Sequence, residues 1–202
     1  MRLLARLTLL TFAPMALRAQ APAAGALVAP APDAQQVAAA VLPLPREFRA
    51  SALVMGYHAG SPRLVVLRQG AGPFTCLAAN PQLKQFHVAC YHASMEAFME
   101  RGRALRASGV KGDQVDSVRF AEVRSGKLAM PSQPAALYSL TGPSAPAAGS
   151  DALAAGTRAL YVVYIPGASA ATTGISAVPQ KDAPWMMYPG TPKAHIMFVP
   201  SM

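Results

Sequence analysis

The two cysteines are the residues whose chemistry the sequence constrains most. Cys76 and Cys90 are the only cysteines in 202 residues. A chain that enters an oxidising compartment usually pairs two such residues. Each lies in a short segment with strand character, and antiparallel pairing of the two segments would place the cysteines opposite each other. The sequence therefore predicts a Cys76–Cys90 disulfide.

A nucleophilic thiol is the alternative for the same region. Cys90 and His92 are two residues apart, so on a strand their side chains share one face. They precede a predicted helix N-terminus, which lowers the pKa of a thiol. A cysteine beside a histidine is the core of thiol catalysis. The oxidising compartment favours the disulfide over this site.

The C-terminal segment suggests a soft-metal site. It is predicted to form a hairpin that turns at residues 189–192, which places Met187 opposite His195 and Trp185 opposite Met197 on one face. Thioether and imidazole ligands suit Cu(I), and an indole face adds a cation–π contact. In these four residues alone, the set resembles that of small periplasmic copper-binding proteins that use methionines, a histidine and a tryptophan. Packing of the same side chains in the core is the alternative.

A second metal hypothesis depends on where the first helix begins. If it begins early, His92, Glu96 and Glu100 lie at i, i+4 and i+8 on one face, and such a stripe could ligate Zn. The H-E-x-x-H pattern of zinc proteases is absent. The alternative is a surface histidine beside a glutamate that stabilises the helix dipole. The sequence requires no cofactor, and Cu(I) and Zn are the two metals it would accommodate.

Other catalytic patterns are missing from the sequence. It contains neither the G-x-S-x-G turn of serine hydrolases nor a phosphate-binding glycine loop, and helix caps, solvated helix faces and loops account for nearly all of its acidic residues. These absences favour a non-enzymatic binding or envelope-associated module. The alternative is a small metal-dependent or thiol-based enzyme that uses His92, Cys90 or His195.

The elements that would position these residues follow from periodicity and turn signals. Strands alternate apolar residues, whereas the helices carry apolar stripes between capping residues and glycine stops. The predicted order is strands 52–58, 63–68, 74–78 and 86–91, helices 95–107 and 113–126, strands 136–140 and 158–165, and the hairpin 185–199. This order predicts an α+β fold, with a mainly antiparallel sheet and two helices packed on one face. For residues 87–92 a helix is the alternative, but their aromatic and β-branched content favours a strand.

The N-terminal part of the chain predicts export. Residues 1–19 combine Arg2 and Arg6 with an apolar run that is too short to span a bilayer, followed by small residues, as in a cleavable signal peptide. Residues 20–45, rich in Ala and Pro, are predicted to be a flexible tether. A single α+β domain is expected over residues 46–202, with a flexible loop at 142–157. We expect the mature protein in the periplasm or outside the cell.

Composition limits the class of partner. With 52% hydrophobic and 13% charged residues, the chain is too apolar for a disordered protein. Its net charge of +9 falls to about +6 without the three arginines of residues 1–19. A basic exported protein favours anionic envelope polymers over nucleic acid, with Arg101, Arg103 and Arg106 as a candidate surface. No transmembrane segment is expected in the mature chain.

Overall fold

The computed structural model describes residues 27–180 and 182–200. The predicted signal peptide and the first residues of the predicted tether lie outside this part of the chain. The described residues contain one eight-stranded sheet, with strands β1 (Leu53–Tyr57), β2 (Leu64–Arg68), β3 (Phe74–Leu77), β4 (Phe86–His92), β5 (Ala135–Gly142), β6 (Arg158–Tyr164), β7 (Trp185–Met187) and β8 (His195–Phe198). Their order in the sheet is β2-β1-β3-β4-β5-β6-β8-β7.

The helices occur mainly before and in the middle of the strand sequence. Their bounds are α1 (Asp33–Ala40), α2 (Arg46–Arg49), α3 (Glu96–Ala107), α4 (Gln114–Arg124) and α5 (Ala170–Thr173), and a 3-10 turn (Ala93–Met95) leads into α3. No helix within the described ranges is both long and apolar enough to cross a membrane. The α+β class predicted from the sequence is confirmed, and residues 86–92 form a strand rather than a helix.

The sheet is mixed, so the predicted mainly antiparallel sheet is wrong. β1 and β3 run parallel, with Val54 beside Cys76. The reason is a short glycine-containing connection that crosses the N-terminal end of β1 after β2 has returned along that strand. The Gly72 N–H donates to the Ser51 carbonyl at 2.8 Å, and a Cβ on Gly70 would lie 2.3 Å from the Ala52 backbone. Only glycine lets the connection pass this close, which brings β3 up on the other side of β1.

The helices cover both faces of the sheet, so the prediction of two helices on one face is also wrong. Alternate residues of a strand point to opposite faces. Cys90 of β4 packs in a core cluster with Ala40 and Leu44, next to α1 and α2. The next residue, Tyr91, packs with Phe98 of α3 in a different cluster. We call these two sides the α1 face and the α3 face.

Helix α1 lies inside the segment that the sequence analysis assigns to a tether. The buried Gln36 amide donates to the Tyr57 carbonyl at 2.8 Å and accepts from the Tyr57 N–H at 2.9 Å, as a neighbouring strand would. Ala40 and Leu44, just beyond, are also buried. The predicted tether is therefore corrected from residue 33 onward, because this stretch supplies part of the core. The loop predicted at 142–157 contains no helix or strand beyond Gly142.

The α3 face is closed by a buried arginine. Arg119 of α4 is 3% exposed, its guanidinium lies 3.9 Å from the ring centroid of Phe98, and it donates to the Phe98 carbonyl at 3.1 Å. A Cβ at Gly102 would lie 2.8 Å from Arg119 Nη1, so glycine makes room for the guanidinium between α3 and α4. Its Nε is the one buried side-chain N or O atom of the described residues that lacks a hydrogen-bond partner.

Candidate functional site

The α1 face divides into two halves with different covers. Over β1, β3 and β4, helices α1 and α2 cover the sheet, and the Cys76–Cys90 pair lies beneath them. We call this the closed half. Around Tyr138, Tyr161 and Phe198 of β5, β6 and β8, the same face opens into a groove, whereas further along β5 and β6 it is buried under Leu42. We call this the open half.

A ladder of aromatic rings joins the two halves. Ring centroids are 5.1 Å apart for Phe48 and Phe74, 5.8 Å for Phe74 and Tyr138, and 5.3 Å for Tyr138 and Tyr161. Phe74, in the closed half, is 5% exposed, whereas Tyr161 is 37% exposed. Phe198 lies beside Tyr161 on β8 and is 38% exposed. The ladder therefore begins in the core and ends at the surface.

The groove at the end of the ladder has a volume of about 830 Å³. Its floor is the open half, and one wall is the segment that leads into β7. The lining comprises Ala136, Tyr138, Tyr161, Val162, Val163, Gln180, Asp182, Ala183, Pro184, Trp185, Phe198, Val199 and Pro200. Pockets for small ligands have volumes of about 300–1,000 Å³ and are lined mainly by apolar and aromatic side chains. This groove fits that description.

Polar groups in the groove are few. The tyrosine hydroxyls and the amide of Gln180 can form hydrogen bonds with a ligand. Asp182, which is exposed, is the one charged residue among the described lining. The groove can therefore bind and orient a mainly apolar molecule. Apart from Asp182 and the two tyrosine hydroxyls, its described lining offers no group suited to proton transfer, and it offers no strong nucleophile.

The hairpin beside the groove is fastened on the opposite, α3 face. Lys193 Nζ lies 2.8 Å from Asp116 Oδ2, and the other Asp116 oxygen accepts from Arg119. Lys193 also lies 4.3 Å from the ring centroid of Tyr188. Burial alone raises the pKa of Asp116, but hydrogen bonds from the two cations outweigh it and hold the pKa below its usual value. These contacts tie the hairpin turn to α4.

His195 is enclosed within this attachment. Its ring lies 5.0 Å from that of Tyr164 and 5.7 Å from that of Tyr188, between centroids. Its Nδ1 lies 2.7 Å from the Lys193 carbonyl, which assigns the proton to Nδ1. Burial lowers the pKa of His195 and raises that of Tyr164 to about 12. His195 is therefore a neutral, buried imidazole near neutral pH.

The predicted Cu(I) residues have the predicted register. Trp185 pairs with Met197 and Met187 with His195, as the sequence predicts. All four therefore share the α3 face, where Met197 packs against the core. In the described ranges no three His, Cys, Asp or Glu side chains form a metal-binding group. A site built on methionine stays a prediction.

The residues of the alternative zinc site do not have the helical spacing that the hypothesis requires. His92 is the last residue of β4, and its side chain accepts from the Ser94 N–H ahead of the 3-10 turn. Glu96 accepts from the hydroxyl of Tyr91 and from Arg103, and Glu100 is exposed. Helix α3 begins only at Glu96, so the three residues do not follow one helical face.

The cysteines are paired as the sequence predicts. Cys76 lies opposite Cys90 in the β3–β4 register, the two sulfur atoms are 2.07 Å apart, and both residues are fully buried. The described residues contain no free cysteine, so the structure leaves no thiol for nucleophilic catalysis. His92 contacts Phe74 on the α1 face, whereas His195 contacts Tyr164 on the α3 face. The two histidines do not form a common site.

The arginines of the candidate basic surface on α3 are largely engaged in contacts within the protein. Arg101 donates to both carboxylate oxygens of Glu122, and Arg103 pairs with Glu96 and donates to the Tyr91 hydroxyl. Arg106 donates to a carbonyl of its own helix. Burial raises the pKa of Tyr91 well above its usual value, with Glu96 adding to the effect. These contacts favour structural roles for Arg101 and Arg103.

Comparison with known proteins assigns no relationship: no family model, curated protein or solved structure matches the chain. The groove residues Tyr138, Tyr161 and Phe198 are the ones that sequence reasoning did not single out. The sequence signal that could have found them is the alternation of side chains along each strand, which predicts the face on which each aromatic residue lies. Alternation does not show whether a helix covers that face.

Proposed function

We propose that this is an exported, non-enzymatic binding protein that holds a small, mainly apolar molecule in the groove of the open half. The observation that carries the proposal is an aromatic-lined groove of about 830 Å³ whose described lining includes no helix residue. Large aromatic side chains are normally buried, and their grouping at the surface is typical of interaction sites. Tyr138, Tyr161 and Phe198 are the principal binding residues.

The expected affinity is moderate. Small ligands realise about 0.3–0.4 kcal/mol per heavy atom, which for a two- or three-ring compound corresponds to a Kd on the order of 10–100 µM. A ligand that also satisfies the tyrosine hydroxyls would bind more tightly.

Export is part of the proposal. The predicted signal peptide would deliver the chain to a compartment where the Cys76–Cys90 bond persists, and that bond lies beneath α1 in the closed half. N-terminal sequencing of the protein recovered from the periplasm or medium should begin near Gln20. Recovery only from the cytoplasm, with Met1 retained, would contradict export.

N-phenyl-1-naphthylamine, a neutral fluorescent probe, tests the binding function. Its fluorescence should rise on saturable binding of one equivalent. Tyr161→Ala and Phe198→Ala should each weaken binding about fivefold or more, since each removes a ring from the floor of the groove.

A second, smaller cavity supplies the control. It has a volume of about 350 Å³ and is lined by Leu83 and Phe86 among others. Leu83→Ala should leave probe binding unchanged. Loss of binding in Leu83→Ala but not in Tyr161→Ala would move the site away from the groove, and no saturable binding would refute the proposed function.

Cu(I) binding by the C-terminal hairpin is the second candidate. Two observations favour it: the register aligns Met187 with His195, and the bond of Nδ1 to the Lys193 carbonyl leaves Nε2 as the ligand atom. Anaerobic Cu(I) should quench Trp185 fluorescence at one equivalent, and His195→Ala should weaken the response. Absence of quenching, or quenching unaffected by loss of both His195 and Met187, would leave packing as the hairpin's role.

A further inference from the structure

We propose that the ligand of the groove is a lipophilic organic cation, meaning a quaternary ammonium or protonated amine attached to an apolar body. The inference rests on the proposed function, because it names the ligand class of the same groove. Two independent features carry it: the aromatic faces that line the groove, and the sign of the charge at its rim.

The aromatic lining is the first feature. Tyr138, Tyr161 and Phe198 all contribute to one cavity, and the register of β5, β6 and β8 places their side chains on its face of the sheet. The face of an aromatic ring is electronegative, and a cation within about 6 Å of its centroid is attracted to it, most strongly when water is excluded. The Tyr138 and Tyr161 rings lie 5.3 Å apart, centroid to centroid, and are tilted by 67° to each other. This is the side-chain chemistry of quaternary ammonium recognition.

The charge of the lining is the second feature. The chain has 18 Lys and Arg against 9 Asp and Glu, so a surface groove would be expected to include basic residues. The described lining includes none, and its one charged residue is Asp182. An anionic ligand would meet a carboxylate here and no compensating cation from the described residues.

Asp182 is also available to a ligand. The other acids near the sheet are largely paired: Asp116 with Lys193, Glu96 with Arg103 and Asp151 with Arg49. Asp182 has no ion pair with a described residue, and it is exposed at the rim of the groove. A ligand whose apolar body lies on the rings can therefore bring a cationic group towards this carboxylate.

A pair of matched probes tests the charge preference. (3-Hydroxyphenyl)trimethylammonium and 3-tert-butylphenol have the same shape, since a quaternary nitrogen replaces a quaternary carbon. Isothermal titration should show the cation binding about fivefold more tightly, the size expected of a partly exposed cation–π contact. Asp182→Asn should reduce that preference.

Two variants make the result specific. Asp113→Asn, an equal charge change at the start of α4, should leave the preference unaltered. Tyr161→Leu keeps an apolar side chain but loses the ring face, so it should weaken the cation more than the neutral compound.

The outcomes separate the two proposals. Equal binding of both probes, or tighter binding of 3-tert-butylphenol, would overturn the cation inference and leave the proposed function intact. Binding of N-phenyl-1-naphthylamine with no binding of either matched probe would do the same. Failure of all three compounds to bind would refute the proposed function itself.

Discussion

The closed and open halves of the α1 face are built from the same alternating strands, but helices cover only the closed half. In the closed half, Phe74 is covered by α2 through Phe48 and is almost inaccessible. In the open half, Tyr161 occupies the same face three strands further along, beyond Tyr138, and more than a third of its surface is exposed. One face of one sheet thus supplies both a core and a groove.

The difference shows what the chain would have to supply to close the groove. Covering the closed half takes α1, α2 and the apolar residues between them, of which Leu44 and Val41 are buried. Over the open half, the segment before β7 forms only a wall. We infer that aromatic residues there are tolerated because a ligand, rather than a helix, covers them in use. Substitutions that treat the two halves alike should therefore have different effects.

The largest expected effect is on stability and lies in the closed half. Phe74→Ala should lower the free energy of unfolding by about 3–5 kcal/mol, because it removes a buried ring that three other rings contact. Urea denaturation followed by circular dichroism measures the change. Phe74→Leu, which retains most of the volume, should cost far less. A loss below about 1 kcal/mol for Phe74→Ala would erase the contrast between the halves.

The next largest expected effect is also on stability and concerns helix α1. Gln36→Ala removes two hydrogen bonds to Tyr57 and one to the Ala31 carbonyl, and leaves backbone groups of Tyr57 without those partners. We expect a loss of about 2–3 kcal/mol and faster proteolysis between residues 27 and 45. Gln35→Ala, its less buried neighbour, is the control and should change neither. Equal effects of the two variants would mean that α1 is held by its apolar residues alone.

These two halves also differ in how far the sequence predicts them. Alternation and turn residues predict the strands, and the opposition of Cys76 and Cys90 follows from the strands, so the pairing is confirmed. Gln36 carries no such local signal, because its bonds are to a strand 21 residues away. The sequence around it is rich in alanine and proline, which is typical of both a linker and a short helix.

The groove escapes prediction for a different reason. Tyr138 and Tyr161 are correctly assigned to strands, but their exposure depends on how far α1 and α2 extend across the sheet. Likewise, the parallel β1–β3 pairing depends on a connection whose path is set by the close approach of Gly70 to Ala52. Both are tertiary properties, and periodicity along a single segment does not contain them.

A smaller loss of stability is expected when the pH is lowered. It involves His195, which lies on the α3 face behind the open half. Burial lowers the pKa of His195, so its folded-state pKa lies below the unfolded value of about 6.5. Its contribution to stability is therefore complete above that value and is lost as the pH falls through the folded-state pKa. Asp116 behaves likewise at lower pH, because its folded pKa is below its unfolded value.

Chemical denaturation between pH 7.5 and 5.5 measures the histidine contribution. The free energy of unfolding should fall over this range, and His195→Gln should reduce the slope. Part of the slope should persist, since burial also lowers the pKa of His87. An unchanged slope in His195→Gln would show that the hairpin attachment does not respond to pH.

The smallest effect on stability, and the sharpest test of the comparison, belongs to Tyr161. Because Tyr161 is partly exposed and borders a groove, its truncation to alanine leaves no closed cavity. We expect the free energy of unfolding to fall by less than about 1 kcal/mol without ligand.

The increment that a ligand adds to stability completes this test. N-phenyl-1-naphthylamine at ten times its Kd should stabilise the wild type by about 1.4 kcal/mol, since it binds only the folded state. Most of that increment should vanish in Tyr161→Ala. In Phe74→Leu, which changes the closed half, it should persist despite the lower baseline. A large loss without ligand would make Tyr161 a core residue, and retention of the ligand increment would show that the ring does not bind. Either result would remove the distinction between a half that stabilises the fold and a half that is free to bind.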